Sequence, residues 1–124
     1  MKRRQFFTFA AASLAVLPAT SLIAGGHGRT GSFKGTNNHV TKGTAEVAGN
    51  KVNLLGDFKF DGAPDPKVAL GKNGYDKKTL MGLLKSNNGA SSYEIPAGIN
   101  PDDYNEVWIW CEKFNVSLGV AKLN

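Results

Sequence analysis

The sequence predicts an all-β domain, either a small antiparallel β-sandwich or a partly open barrel of about seven to nine short strands. Three observations support this fold class. Runs of β-branched and aromatic residues alternate with turn residues from residue 33 onward, and no segment has the period of a long helix. A chain of 124 residues also has the size of one domain.

The best-defined strand is the segment 107–112, which is apolar on both faces. In a strand, Val107, Ile109 and Cys111 share one face, and Trp108 and Trp110 share the other. A strand without a polar side lies in the middle of a packed structure, or has one face covered by a loop, a cofactor or a partner. This segment also carries the only cysteine of the protein, so any thiol chemistry is expected here.

The first 24 residues have the pattern of a signal peptide. A basic start containing Arg3-Arg4 precedes an apolar run that extends to residue 24. The arginine pair followed by Phe6-Phe7 resembles a twin-arginine signal, although Lys2 departs from that pattern, and a general secretory signal stays open. We therefore expect an exported protein of the bacterial periplasm or cell envelope, with no transmembrane segment after signal removal.

Glycine-rich residues 25–32 are interpreted as a flexible linker to a domain formed by residues 33–124. Three of the fifteen basic residues lie in the predicted signal, so the mature part carries twelve basic against ten acidic residues, a net charge of +2. With no run of basic residues, nothing favours nucleic-acid binding. The lone cysteine is a buried thiol, an intermolecular bridge, or a reactive or ligating sulfur.

Turn residues delimit the remaining strands. Residues 40–48 and 51–55 are joined by Gly49-Asn50 and are predicted to form a hairpin. Short strands are also expected near residues 58–60, 67–70, 92–95 and 116–123, each ended by turn residues. Leucines at helical spacing in residues 76–85 would allow one short helix, but Gly82 favours a strand-turn-strand unit.

Patterns typical of catalysis or metal binding are weak. There is no Cys-x-x-Cys motif, and no histidine or methionine follows Cys111 as a blue-copper site would need. A Gly-x-Ser-x-Gly elbow is also absent. These absences favour a non-catalytic module over an enzyme.

The two histidines and the paired aspartates have simple structural interpretations. His27 lies in the glycine-rich linker and is expected to be solvated, so His39 is the better-placed histidine, again with a surface position favoured over a ligand role. Asp61 and Asp65 flank a Gly-Ala-Pro segment and are interpreted as turn residues that cap backbone amides. Asp102 and Asp103 have the same interpretation.

Several segments together resemble the DM-thirteen domain family, which is often labelled an electron-transfer domain. The resemblance covers about residues 33–123. It is carried by residues 58–65, 81–85, 93–96, 107–116 and 119–123, and most specifically by the run Val-Trp-Ile-Trp-Cys-Glu-Lys-Phe-Asn-Val through Cys111.

The resemblance implies a redox role for Cys111, either as a bare thiolate or as the ligand of a prosthetic group such as haem. Trp108 and Trp110 would then shape its surroundings. A redox partner is implied too, such as a b-type cytochrome-like module. The alternative is a non-catalytic binding or structural module of the envelope in which Cys111 is a buried core residue.

Overall fold

The computed structural model describes residues 28–124. The predicted signal peptide and His27 lie outside the described residues. Within them the chain forms nine strands and two short 3-10 turns at Lys77–Thr79 and Pro101–Asp103, with no α-helix. The strands are β1 (Arg29–Gly35), β2 (Thr41–Lys42), β3 (Thr44–Ala48), β4 (Lys51–Leu54), β5 (Lys59–Phe60), β6 (Pro66–Gly71), β7 (Ser91–Glu94), β8 (Glu106–Cys111) and β9 (Val116–Lys122). No helix in this part of the chain is long and apolar enough to cross a membrane.

Seven strands form one antiparallel sheet in the order β6-β8-β9-β1-β3-β4-β7, and β2 pairs with β5 in a small second sheet. The seven-stranded sheet curls into a partly open barrel, which confirms the predicted fold class. The predicted hairpin is formed by β3 and β4, which pair from Ala45 opposite Leu54 to Ala48 opposite Lys51. Gly49 in its turn has a φ of 59°, a conformation that glycine adopts without steric cost.

The ambiguous segment 76–85 contains a 3-10 turn followed by an extended stretch. The backbone N–H of Met81 donates to the carbonyl of Val68 at 2.8 Å, and that of Leu84 donates to Pro66 at 2.8 Å. The extended stretch thus pairs along the outer edge of β6 and covers hydrogen-bonding groups that would otherwise be free. Gly82, whose φ is 98°, explains why a longer helix does not form here.

The barrel interior holds one hydrophobic core, and the inward face of β8 crosses it. Val107, Ile109 and Cys111 are at most 1% exposed. Trp108 and Trp110 are half-buried and lie on the opposite face of the strand, so the predicted division of its two faces is confirmed. The larger residues packed in the same core are Phe33, Leu54, Phe58, Phe60, Leu70, Tyr93, Ile95, Tyr104 and Leu118.

Strand β1 begins at Arg29, whereas the sequence suggests that the folded domain starts at residue 33. Arg29 pairs with Val47 of β3, and Gly31 pairs with Ala45. A Cβ atom on Gly31 would stand 2.2 Å from the carbonyl oxygen of Lys122, so the glycine permits close approach of β1 and β9. Residues 29–32 of the glycine-rich segment therefore belong to the sheet, and the position of Gly31 requires a residue without a side chain.

Candidate functional site

Cys111 is the last residue of β8 and is 1% exposed. Its register partners are Pro66 on β6 and Val116 on β9. The thiol belongs to the barrel core, but it lies at the end of the strand, next to a turn formed by residues 112–115. Val116 is 39% exposed. Cys111 is therefore buried close to one end of the barrel.

The turn after Cys111 is bound through its backbone to Asp65, the residue that precedes β6. The backbone N–H of Glu112 donates to the carbonyl of Asp65 at 3.2 Å, and the backbone N–H of Lys113 donates to its carboxylate at 3.0 Å. At the turn itself, Phe114 is 58% exposed and the Lys113 ammonium stands 5.6 Å from the centre of its ring. Asp65 thus accepts hydrogen bonds from two backbone amides, one through its carbonyl and one through its carboxylate. The carboxylate caps a turn distant in the sequence, where its sequence context suggested a cap within its own turn.

A small group of charges lies beside the same turn. The Lys67 ammonium donates to the carboxylate of Glu112 and stands 3.8 Å from that of Asp65. This hydrogen bond raises the pKa of Lys67 and lowers the pKa of Glu112, so both groups remain charged near neutral pH. The side chain of Lys67 is 23% exposed, which limits its freedom to pair with other anions.

The outer face of β8 carries an aromatic cluster, which we define as Tyr75, Trp108 and Trp110. The Tyr75 and Trp110 rings are stacked with centroids 3.8 Å apart, and the Trp108 and Trp110 rings meet edge to face at 6.0 Å. Ala69, opposite Trp108 on β6, is fully buried. The sequence leaves open whether a loop, a cofactor or a partner covers this face. In the structure a loop formed by residues 72–75 lies over it.

Glu106 holds this loop against the sheet. Its carboxylate is 4% exposed and accepts hydrogen bonds from the backbone N–H of Gly74 at 2.8 Å and from the Trp108 indole at 3.1 Å. The indole passes so close to Gly71 that a Cβ atom there would lie 2.3 Å from its nitrogen. The loop then delivers Tyr75 onto Trp110, where burial raises the pKa of the tyrosine.

The sequence patterns did not indicate Tyr75 or Glu106 as site residues. One signal was available: Glu106 and the two tryptophans alternate along β8, so a strand of period 2 places all three on one face. Tyr75 follows a glycine-rich turn and has no comparable pattern. The indole nitrogen of Trp110 is buried without a hydrogen-bond partner among the described residues.

The structure does not bring Cys111 and the two tryptophans together in one pocket. The thiol faces the core, and the indoles face the loop on the other side of the same strand. Trp110 and Cys111 are consecutive in the chain, so their side chains lie on opposite faces of β8 and are joined only through its backbone. Any influence of the tryptophans on the thiol therefore acts through the strand, by covering its outer side.

His39 lies at the surface, bound to Asp61. Its Nδ1 atom is 2.8 Å from one carboxylate oxygen of Asp61, and the other oxygen accepts the backbone N–H of Val40 at 3.0 Å. The hydrogen bond from His39 lowers the pKa of Asp61. The His39 ring also stacks on Phe60 at 5.8 Å. Within residues 28–124, no three histidine, cysteine or acidic side chains are grouped as a metal site would require.

Haem does not fit at Cys111 in this fold. Ligand pockets typically enclose about 300–1,000 Å³, whereas the thiol is 1% exposed and surrounded by packed core residues. A groove of about 240 Å³ in the described part of the chain is lined by residues of β1 and β9 and does not include Cys111. The packing around Cys111 therefore leaves no room for a haem group at this thiol.

Fold and site together define a small all-β barrel domain with one buried thiol at the end of β8 and an aromatic cluster on the opposite side of the same strand. The family model described as "Electron transfer DM13" matches residues 32–123, nearly all of the described domain. The chain belongs to this family, and the suspected resemblance is confirmed. No curated protein and no solved structure matches the chain.

Proposed function

We propose that this protein is a redox module of the bacterial cell envelope that exchanges electrons through the bare thiol of Cys111. The observation that carries the proposal is the match to an electron-transfer family over a segment that includes the only cysteine of the chain. The position of that cysteine at the end of β8 supports it, since the next residues form a surface turn. The export pattern of the first 24 residues supports the envelope setting.

A bare thiol can exchange electrons by thiol–disulfide exchange with a partner protein. The Cys111 thiol loses its proton to solvent, and the thiolate attacks one sulfur of the partner. The partner's S–S bond breaks, and its electron pair leaves with the second sulfur as a thiolate. The product is a mixed disulfide between the two proteins, in which the Cys111 sulfur has been oxidised and the departing partner sulfur has been reduced. A thiol of another molecule then attacks the partner's sulfur in this bond, so that a new disulfide forms and Cys111 leaves as a thiolate.

This reaction requires the turn at residues 112–115 to open. Turns are among the segments of a protein that open locally at a lower free-energy cost than global unfolding. Here the anchors are the two hydrogen bonds to Asp65 and the ion pair between Lys67 and Glu112. Trp108 and Trp110 contribute from the other side of β8: with Tyr75 they cover the outer face of the strand, so that the thiol is reached from the barrel end.

A second candidate function is a non-catalytic binding or structural module of the envelope. The observation that favours it is the 1% exposure of Cys111 within the core, since free cysteines often act as small buried hydrophobes. In that case Cys111→Ser would cost about 1–2 kcal/mol of folding free energy and change nothing else.

The deciding experiment combines an absorption spectrum with thiol titration of the mature protein purified from its exported compartment. The redox proposal expects no Soret band, and it expects mixed-disulfide formation with a disulfide reagent at a rate faster than global unfolding. Cys111→Ser should abolish that reaction while the domain stays folded. A thiol that reacts only on global unfolding would refute the proposal and leave the binding module. A Soret band lost in Cys111→Ser would refute the bare thiol in favour of a bound cofactor.

A further inference from the structure

A groove of about 240 Å³ lies on the outer face of β1 and β9, lined by Ser32, Lys34, Val120 and Lys122. The register places Lys34 opposite Val120, and its continuation places Lys122 opposite Ser32. The two lysines thus stand at diagonal corners of a four-residue square, with small side chains at the other corners. Such diagonal neighbours are about 7–8 Å apart, so two flexible lysine side chains can reach one ligand.

The groove exists because the large side chains of this face point elsewhere. Trp108 is the register partner of Val120 on the other side, but its indole lies over Gly71 of β6 and so extends away from β1. Val120 is left half-buried as an apolar floor, and Ser32 offers a hydroxyl group at the rim. The groove therefore combines an apolar base with polar groups that converge from two strands.

The two ammonium groups have little negative charge to neutralise them. Lys34 has no ion pair or side-chain hydrogen bond within residues 28–124, and Lys122 has only Glu106 at 3.9 Å, with its own side chain 78% exposed. The Glu106 carboxylate accepts two other hydrogen bonds through Oε1, and only its Oε2 faces Lys122. The two positive charges around the groove repel each other. An anion placed between them would attract both and so offset this repulsion.

We propose that this groove binds a small organic carboxylate. The carboxylate lies between the ammonium groups of Lys34 and Lys122, and the apolar part of the ligand covers Val120. Because the volume is below that of pockets for drug-sized ligands, the occupant has on the order of ten non-hydrogen atoms. This site lies apart from Cys111 and goes beyond the electron-transfer proposal, so either can fail without the other.

The test is a nuclear magnetic resonance titration of the mature protein with hexanoate at low ionic strength. We expect saturable shifts of the Val120 methyl groups and of the Ser32 amide, and none with the neutral analogue 1-hexanol. Lys34→Gln and Lys122→Gln should each weaken hexanoate binding about tenfold, as expected for the loss of one charged hydrogen bond. Added salt should weaken binding in the same direction.

Lys51→Gln is the matched control, because it removes the same charge from β4, three strands away from β9, at an exposed position. It should leave the hexanoate affinity unchanged. An equal weakening by all three substitutions would show a general effect of net charge and overturn the site. Inorganic phosphate binding as tightly as hexanoate would overturn the organic ligand, and an absence of saturable shifts would overturn the proposal as a whole.

Discussion

The rings of Tyr75 and Trp110 are parallel to within 10° with centroids 3.8 Å apart, although the two residues belong to a loop and to strand β8. This stack fastens the loop 72–75 to the outer face of the barrel. It also gives β8 a second apolar layer, separate from the core, which explains how a strand with no polar side is stable near the surface. Trp110, the residue that precedes Cys111 in the chain, is part of this layer.

Tyr75→Ala should destabilise the protein by about 2 kcal/mol, since it removes the stacking interaction and uncovers Trp110. Tyr75→Phe is the matched control and should change stability by less than about 0.5 kcal/mol, because the tyrosine hydroxyl makes no hydrogen bond within residues 28–124. Denaturant unfolding followed by tryptophan fluorescence measures both. Equal losses in the two variants would show that the hydroxyl, and not the stack, holds the loop.

Glu106→Ala should cost about 2–4 kcal/mol, because it leaves the Gly74 N–H and the Trp108 indole without their shared acceptor. Glu106→Gln keeps an amide oxygen at the same place and should cost clearly less. Unfolding experiments on both variants give the difference. If the two substitutions were equally destabilising, the charge of Glu106 would matter more than its hydrogen bonds.

The pair formed by Asp76 and Tyr104 should contribute to acid sensitivity. The tyrosine hydroxyl donates to the Asp76 carboxylate at 2.8 Å, and this hydrogen bond is the main cause that lowers the pKa of Asp76 from its ordinary value of 3.8. A carboxyl whose pKa is lower in the folded state adds stability above its ordinary pKa, and that stability is lost as the pH falls through the folded pKa. The effect therefore lies in the acid range, below about pH 4.

Tyr104→Phe should raise the pKa of Asp76 toward its ordinary value, although interactions with Lys78 also lower it and keep the return partial. Carbon-13 titration of the aspartate carboxyl groups measures this change. Asp57 is an internal control, because its pKa is lowered by hydrogen bonds from Thr44 and should not move. An unchanged Asp76 in Tyr104→Phe would contradict the assignment.

The sequence predicted the division of β8 into two faces because period 2 is a local property of any strand. It placed Cys111 and the tryptophans on opposite sides for the same reason. It did not predict Tyr75 over Trp110 or Gly74 on Glu106, because those contacts join segments about 32 to 35 residues apart and depend on which strands become neighbours in the sheet. The start of β1 at Arg29 was hidden in the same way, since a glycine-rich segment looks like a linker until its close neighbour is known.

Asp65 should control access to the Cys111 thiol. Asp65→Ala removes the carboxylate that accepts the Lys113 N–H and keeps the carbonyl that accepts the Glu112 N–H. Losing one such hydrogen bond lowers the cost of opening the turn by about 1 kcal/mol, or roughly fivefold in the open population. We expect a disulfide reagent to label Cys111 about fivefold faster in native buffer, with a smaller change in the global unfolding rate.

Asp102→Ala is the matched control, because its exposed side chain makes no hydrogen bond within residues 28–124 and lies in a different turn. Its labelling rate should equal that of the unmodified protein. If Asp65→Ala accelerated labelling only as much as it accelerated global unfolding, the thiol would be reached through the unfolded state. Local opening of the turn would then not control access to the thiol. Thiol–disulfide exchange with a folded partner would require a different local opening near Cys111. If Asp65→Ala accelerated labelling more than global unfolding, the buried Cys111 thiol would be reached by local opening of the turn 112–115.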